Sequence, residues 1–404
     1  MKPNWLEKCC IKLVDRQLQS IETGKLILTL PDHSEHSYGD ESATTTQHIQ
    51  VNEYAFFVHI VFAGNIGLGE AYTDQLWETS DLAGLLSLFI YNMDSLKKSG
   101  ITSGWIKRLI HLLSHAVRRN TKQGSSKNIQ AHYDLGNDFY RLFLDPETML
   151  YSSAIFQHAE EPLADAQRTK IHQLLRLADI KAHHHLLEVG CGWGGFAIEA
   201  ARTTGCRVTG ITISPAQYEL AIERIKEAGL CDQIDVQLCD YRDVKGSYDR
   251  IVSIEMLEAV GHAYYGTYFN HLDRLLKPGG RIALQVITIP DQRYQAYRRN
   301  PDWIQKHIFP GGILPSLTEL TKAMTAQSTL HIDAIENIGI HYAETLRRWR
   351  QACIRQSDRL TSMGYDKTFQ RKWIYYLAYC EASFQTEFNN DLHIVLKRPA
   401  QTAC

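Results

Sequence analysis

The sequence predicts an α/β protein: a doubly wound sheet with a helical insert, preceded by a smaller α+β domain. Three observations carry that expectation. From residue 185 onward, strand-like segments alternate with helical ones, the pattern of a parallel sheet joined by crossover helices. The first of these strands runs directly into closely spaced glycines that open a helix. Ahead of about residue 125 the composition is different, with no glycine loop of that kind. The expected boundaries are therefore an N-terminal domain over 1–125 and a main domain over 126–404, with the insert at 342–388.

In the N-terminal part, 25–30 and 49–62 are β-branched and aromatic, as strands are. The Pro/His/Ser/Gly-rich stretch 31–42 between them reads as a loop, and 81–92 reads as a short helix. In the main domain, strands are expected at 185–189, 207–213, 234–238, 250–254 and 281–287. Helices are expected at about 195–203, 215–228, 263–276 and 316–327. Residues 330–336 and 392–397 supply two further strands, and the segment between them is helical and rich in Trp, Tyr and Phe.

Hydrophobic residues at 44% and charged residues at 22% exclude disorder, collagen and coiled coil. A net charge of −2 gives no reason to expect nucleic acid as partner. No apolar run reaches the ~18 residues that a spanning helix needs; 54–64 and 82–91 read as core strands or helices. The opening Met1-Lys-Pro-Asn-Trp-Leu-Glu lacks a secretory apolar region. Nine cysteines without paired spacing read as reduced thiols of a cytosolic protein. Residues 95–128 carry eight Lys or Arg and no acid, with Ile101, Trp105, Leu109, Leu112, Leu113 and Ala116 at helical spacing. This is either a basic amphipathic helix for an anionic membrane surface or an ordinary helix docked on the core. Residues 123–127 read as a linker.

The strongest chemical signal is Leu186-Leu-Glu-Val-Gly-Cys-Gly-Trp-Gly-Gly195. Its glycines let a ligand approach the backbone at the carboxyl end of the strand, beside a helix N-terminus. Glu188, two residues ahead of the first glycine, offers a carboxylate to a cationic amino-acid group. Asp240-Tyr-Arg242, after the third strand, offers an acceptor and an aromatic face to an adenine. A dinucleotide fold wants an acid about 20 positions after the glycines to hold the ribose. Here Gly210-Ile-Thr-Ile-Ser-Pro-Ala-Gln217 has none, which favours S-adenosylmethionine (SAM) over NAD.

These segments, together with Met149-Leu-Tyr-Ser-Ser-Ala154, Ile251-Val-Ser-Ile-Glu-Met-Leu-Glu-Ala-Val-Gly261, Phe309-Pro-Gly-Gly-Ile-Leu-Pro315 and Tyr375-Tyr-Leu-Ala-Tyr-Cys380, resemble the cyclopropane-fatty-acyl-phospholipid synthase family, related to the mycolic-acid methyltransferases. The resemblance is dense over about 128–400 and weaker ahead of it, where family members often carry a lipid-handling domain. It implies a class I SAM-methyltransferase fold and SAM as co-substrate. The implied substrate is the double bond of unsaturated acyl chains of membrane phospholipids. It further implies a cytoplasmic enzyme, peripheral on the inner face of the membrane, and raises a homodimer.

Carried over residue by residue, the resemblance assigns Tyr151, Ser152, Glu188, Gly190, Cys191, Gly192 and Trp193 to the methionine part of SAM. It assigns Thr212, Ile213 and Gln217 to the ribose, and Asp240, Tyr241 and Arg242 to the adenine. Glu258 and Tyr342 fall on the active-site glutamate and tyrosine, and Ile287 on the member supplying a backbone contact. Methyl transfer to an alkene leaves a carbocation, which needs a dry, π-rich surround and then a base. In the synthases, as the resemblance has it, that base is a bicarbonate ion cradled by a Cys, a Glu, a His, a Tyr and a backbone group. This chain departs twice: the cradle Cys is Ser153 and the cradle His is Gln285. Neither supplies a group titrating near neutral pH. With the ion retained, cyclopropane formation is expected; because the cradle is altered, a methyl-branched alkene or exocyclic methylene is the alternative.

Other residues have plainer readings. Glu255 reads as an acid favoured by a helix start. Cys380 falls on a cysteine suspected of catalysis in the family, against a plain core role. The aromatic helix holding it, with Tyr375, Tyr376 and Tyr379, is core or lines an acyl tunnel. Arg347, Arg348 and Arg350 form a solvated face or meet a lipid headgroup. His183-His-His185 does not converge on one ion, and no spaced Cys/His set suggests a metal. Two other functions remain: a SAM enzyme for a small soluble acceptor, and a lipid-binding protein without catalysis. The basic stretch opposes the first, and Glu188, Asp240, Glu258 and Tyr342 oppose the second.

Overall fold

The structure is a computed structural model, and it describes residues 2–98 and 135–400. The basic amphipathic helix and linker expected within 95–128 thus lie almost wholly outside the described residues. The chain forms two compact units, one of 1–117, 300–308 and 346–388 and one of 118–299, 309–345 and 389–404.

The first unit holds a small sheet ordered β2-β1-β3-β4, from β1 (Lys25–Thr29), β2 (Glu35–Gly39), β3 (Thr46–Val51) and β4 (Trp77–Glu78). Two expectations are corrected here. Residues 31–42 are not all loop, because β2 pairs antiparallel with β1 inside that stretch. Only Tyr38 of β2 is buried, so this edge strand has no apolar run to announce it. The run 49–62 is not all strand, and of the two readings for 54–64 the helix holds: β3 ends at Val51 and a helix spans Ala55–Ala63. Its β-branched residues are tolerated because the helices Trp5–Leu18 and Asn65–Thr73 pack against it. The helix expected at 81–92 is Leu82–Tyr91, capped by Asp81, whose carboxylate accepts from Gly84 N at 3.0 Å. The expected insert contributes Lys367–Gln385, which packs on Leu82–Tyr91 and Asn65–Thr73. The Arg350–Glu381 pair is held by two hydrogen bonds of 2.8 and 3.1 Å.

The second unit is built on a sheet ordered β10-β11-β9-β8-β5-β6-β7. Its strands are β5 (His185–Val189), β6 (Arg207–Thr212), β7 (Ile234–Leu238), β8 (Tyr248–Ile254), β9 (Leu276–Thr288), β10 (His331–Asn337) and β11 (Asn390–Lys397). The five strands β7-β6-β5-β8-β9 are parallel, while β11 runs antiparallel to both β9 and β10. Alternation along β5 sends Leu186 and Leu187 into separate cores on the two faces. Leu186 packs with Ile171, Leu174 and Phe196 of the helices Leu163–Leu177 and Gly195–Thr204. Leu187 packs with Phe269, Leu272, Leu320 and Met324 of Tyr265–Leu275 and Leu317–Gln327. The chain leaves β5 toward β6 on one side and β8 on the other. The carboxyl ends of β5 and β8 therefore form the crevice in which an open α/β sheet holds its ligands.

Candidate active site

The first half of the site is the turn after β5. Gly190 and Gly192 have φ of +84° and +51°, a region that L side chains rarely adopt. Gly190 N and Cys191 N both donate to Ile211 O, at 3.0 and 2.9 Å, folding the loop back onto β6 and leaving Gly190 exposed. Gly195 is required for another reason. A Cβ there would lie 1.8 Å from Thr148 O, so only glycine lets the 148–153 segment cross the loop.

Glu188 ends buried beneath this loop, and its Oε2 has no hydrogen-bond partner. Burial pushes its carboxyl up to about 8, against the pull of Lys170. An orphaned buried carboxylate next to exposed glycine backbone suits a ligand that brings a cationic amine, and the amino-acid end of SAM fits. The Trp193 ring meets Tyr140 at 5.0 Å in a tilted contact, Tyr140 also meets Tyr151 at 5.3 Å, and the Trp193 indole N–H donates to Asn137 Oδ1 at 2.8 Å. At the end of β6, Thr212 Oγ1 donates to Gln217 Oε1 at 2.9 Å, with Ile213 next in the chain. After β7, Arg242 grips Asp240 with Nε at 2.7 Å and Nη2 at 2.6 Å and lies over the Tyr241 ring at 5.3 Å. The SAM-assigned residues thus gather at the carboxyl ends of β5, β6 and β7.

The second half lies at the ends of β8 and β9. Glu255 is not the helix-start acid that the sequence suggests. The short helix begins at Leu257, and Glu255 has φ +47° and turns its carboxylate inward. That carboxylate accepts from Ser153 N at 2.8 Å, Gln285 Nε2 at 2.8 Å and Tyr342 Oη at 2.7 Å. Gln285 Nε2 also donates to Asp391 Oδ2 at 2.8 Å, and its Oε1 faces His393 Nε2 at 3.4 Å, because β9 and β11 pair Gln285 with His393. Glu258 Oε1 accepts from Ile287 N at 2.6 Å, while its Oε2 is buried without a partner. The Ser153 hydroxyl donates to Ala154 O, away from this cluster. Ser153, Glu258, Gln285, Ile287 and Tyr342 are therefore brought together. Cys380 lies half-buried on the helix Lys367–Gln385 of the first unit.

Among these groups the backbone N–H of Ser153, the Gln285 amide and the Tyr342 hydroxyl already donate to Glu255, and the Ile287 N–H to Glu258. Of the groups from which the resemblance builds a bicarbonate cradle, the Gln285 amide, the Tyr342 hydroxyl and the Ile287 N–H are spent on the chain's own carboxylates and the Ser153 hydroxyl on Ala154 O, so the residues present do not fit a bicarbonate there.

Several residues of this centre escape sequence reasoning. Lys170 is fully buried and donates to Ser152 Oγ at 2.6 Å; burial lowers its ammonium to about 8 while nearby carboxylates pull it up. Burial raises Glu258 to about 8, with the Glu255 charge adding to it, and the same two causes raise Asp391 well above the carboxylate range. Burial raises Glu255 too, but the Tyr342 and Ser153 hydrogen bonds, the Lys170 charge and the Gln285 amide oppose it. With one buried ammonium and several carboxyls, the negative charge costs least on the group with three donors, which is Glu255. His393 is pushed down to about 3 by burial and stays neutral. Two signals were available: a lysine on the apolar stripe of Leu163–Leu177, and Asp391 and His393 alternating within an apolar strand.

Residues 120–394 match the family described as mycolic acid cyclopropane synthetase. The tuberculostearic acid methyltransferase UfaA1 of Mycobacterium tuberculosis is 40% identical over 80% of this chain and 77% of its own. The cyclopropane-fatty-acyl-phospholipid synthase of Escherichia coli K12 is 34% identical over 83% of this chain and 84% of its own. Among solved structures, mycolic acid cyclopropane synthase CmaA1 complexed with SAH and CTAB has a TM-score of 0.63 at 29% identity, covering 68% of this chain and 98% of that one.

Proposed function

The chain belongs to the mycolic acid cyclopropane synthetase family and is a class I SAM-dependent methyltransferase that modifies fatty acyl chains; within that frame we propose that it adds one carbon to the double bond of unsaturated chains carried on phospholipids, and that its product is open-chain. The observation that carries this reading is the pairing of two half-sites on adjacent strands. The orphaned Glu188 beneath the glycine loop ends β5, and the Glu255–Tyr342–Glu258 cluster follows β8. SAM supplies an electrophilic methyl group.

Glu188 holds the amino group of SAM. Tyr151, Ser152, Gly190, Cys191, Gly192 and Trp193 enclose its methionine part, Thr212, Ile213 and Gln217 meet its ribose, and Asp240, Tyr241 and Arg242 bracket its adenine. Tyr342 and the Glu258 carboxyl face the reacting carbons, and Ser153, Gln285 and the Ile287 backbone orient them. A base beside the glycine loop removes its proton from the transferred carbon, because that carbon enters from the β5 side. An exocyclic methylene results when a hydride shift precedes proton loss. The 40% match to a protein named as a methyltransferase favours this open-chain product, and ring closure is the second reading, favoured by the match to a synthase.

The first unit, with the basic stretch 95–128, presents the lipid at the inner membrane surface, with dimerisation placing two such units on one bilayer. No helix of the described residues is long and apolar enough to cross a membrane. The test is methyl-labelled SAM with purified protein and vesicles of monounsaturated or saturated phospholipid. Label entering only the monounsaturated acyl chains is expected. Label appearing only in free fatty acid or in a soluble acceptor, or SAM binding without any transfer, would overturn the proposal.

A further inference from the structure

We infer that Glu255 is the proton acceptor of the reaction and that its carboxylate stands in the place of a bound bicarbonate, so that the base is built into the chain. The inference rests on the one-carbon transfer proposed above and adds to it the identity of the base.

Four observations converge on Glu255. It is a non-glycine residue at φ +47°, a backbone conformation that persists only where the surroundings impose it. Its carboxylate takes up the Ser153 N–H, the Gln285 amide and the Tyr342 hydroxyl, the donors that would otherwise hold an anion. The residue follows directly on β8, next to β5 and its glycine loop, which puts it on the side from which the methyl group arrives. The carboxylate lies out of bulk water while the residue as a whole is only half-buried, so the turn that carries it is not sealed in the core.

The step balances without another reactant. The alkene π pair forms a bond to the methyl carbon as the carbon–sulfur bond breaks, and S-adenosylhomocysteine leaves with the sulfur pair. The neighbouring chain carbon is then a cation. A hydride moving from the methylated carbon to that cation shifts the charge one position. Glu255 takes a proton from the methyl group, and the released C–H pair closes the carbon–carbon double bond of a methylene, or, without the hydride shift, the third side of a ring. Glu255 then returns the proton to water as product leaves. Tyr342 and Gln285 keep their hydrogen bonds throughout and hold the carboxylate in place.

The test compares wild type with Glu255→Gly and Glu255→Gln. Carbon-13 bicarbonate followed by NMR is expected to give no bound signal with wild type and a bound signal with Glu255→Gly, in which the three donors are freed. Glycine is at ease at this φ, so that variant keeps its fold, which unchanged SAM binding verifies. With labelled SAM and phospholipid vesicles, wild-type turnover is expected to be indifferent to removal of bicarbonate. Glu255→Gln is expected to lose about a hundredfold or more at any bicarbonate concentration. Glu255→Gly is expected to recover activity as bicarbonate is added. Bicarbonate bound to wild type, wild-type turnover that collapses when bicarbonate is stripped, or Glu255→Gln within a few-fold of wild type would each overturn the inference. Wild type that labels no lipid would instead defeat the proposed function, and the bicarbonate titration would still decide what occupies the cradle.

Discussion

A carboxylate taken out of water holds its charge only where a cation or a set of donors answers it. Glu188 and Glu255 are answered differently. Glu255 has three donors from the protein, while one oxygen of Glu188 has none, which supports the proposal that the partner of Glu188 comes with SAM. Burial holds the free Glu188 carboxyl at about 8, so below that pH it carries a proton that must leave when a cationic amine binds. SAM affinity should therefore weaken as pH falls from 8 to 6, by up to about tenfold per unit. Calorimetry across that range checks it through both the affinity and the proton released. In Glu188→Gln the same titration should show weaker binding and a flat pH dependence, since nothing at that position ionises. The left-handed backbone of Glu255 costs roughly 1–2 kcal/mol, which its surroundings must offset.

At the scale of elements, the site is assembled by loops that cross at closest approach. Gly195 is the clearest case, since Thr148 O sits where its Cβ would be. Gly195→Ala should cost about 1–3 kcal/mol by overpacking and should move the 148–153 segment off the loop. The expected result is a lower Tm together with lost SAM binding, and an alanine variant that keeps both would contradict this crossing. The same scale explains what could be read in advance. The glycine loop and Asp240 sit in short strings whose local pattern points to a ligand, whereas Glu258 and Tyr342 are reached only through the family resemblance. The strand–helix alternation from 185 onward is also local, and the parallel part of the sheet follows from it. Glu255 was missed because its partners Gln285, Tyr342 and Ser153 lie 30, 87 and 102 positions away, and no local pattern records such a meeting. The strand at 392–397 was legible but its antiparallel direction was not, as that direction is set by pairing with β9 and β10. The helix Ala55–Ala63 was obscured by its own composition, which suits a strand until neighbouring helices bury it.

At the scale of the whole molecule, the strand order brings the two halves of the site together. β5 lies between β6 and β8, so the glycine loop and the Glu255–Glu258 turn emerge side by side although 65 positions separate Gly190 from Glu255 in the chain. With SAM under the glycine loop and Glu255 as base, as proposed, donor and base would share one crevice and the proton removed would come from the carbon just delivered. The measurement that tests this most directly is mass spectrometry of phospholipid acyl chains from cells that express the protein and are fed methionine with a fully deuterated methyl group. A new acyl chain is expected that carries one extra carbon as a branch, retains two of the three deuteriums and takes up hydrogen under mild reduction, as a methylene does. Three retained deuteriums would place the base on the chain side of the alkene and contradict the account.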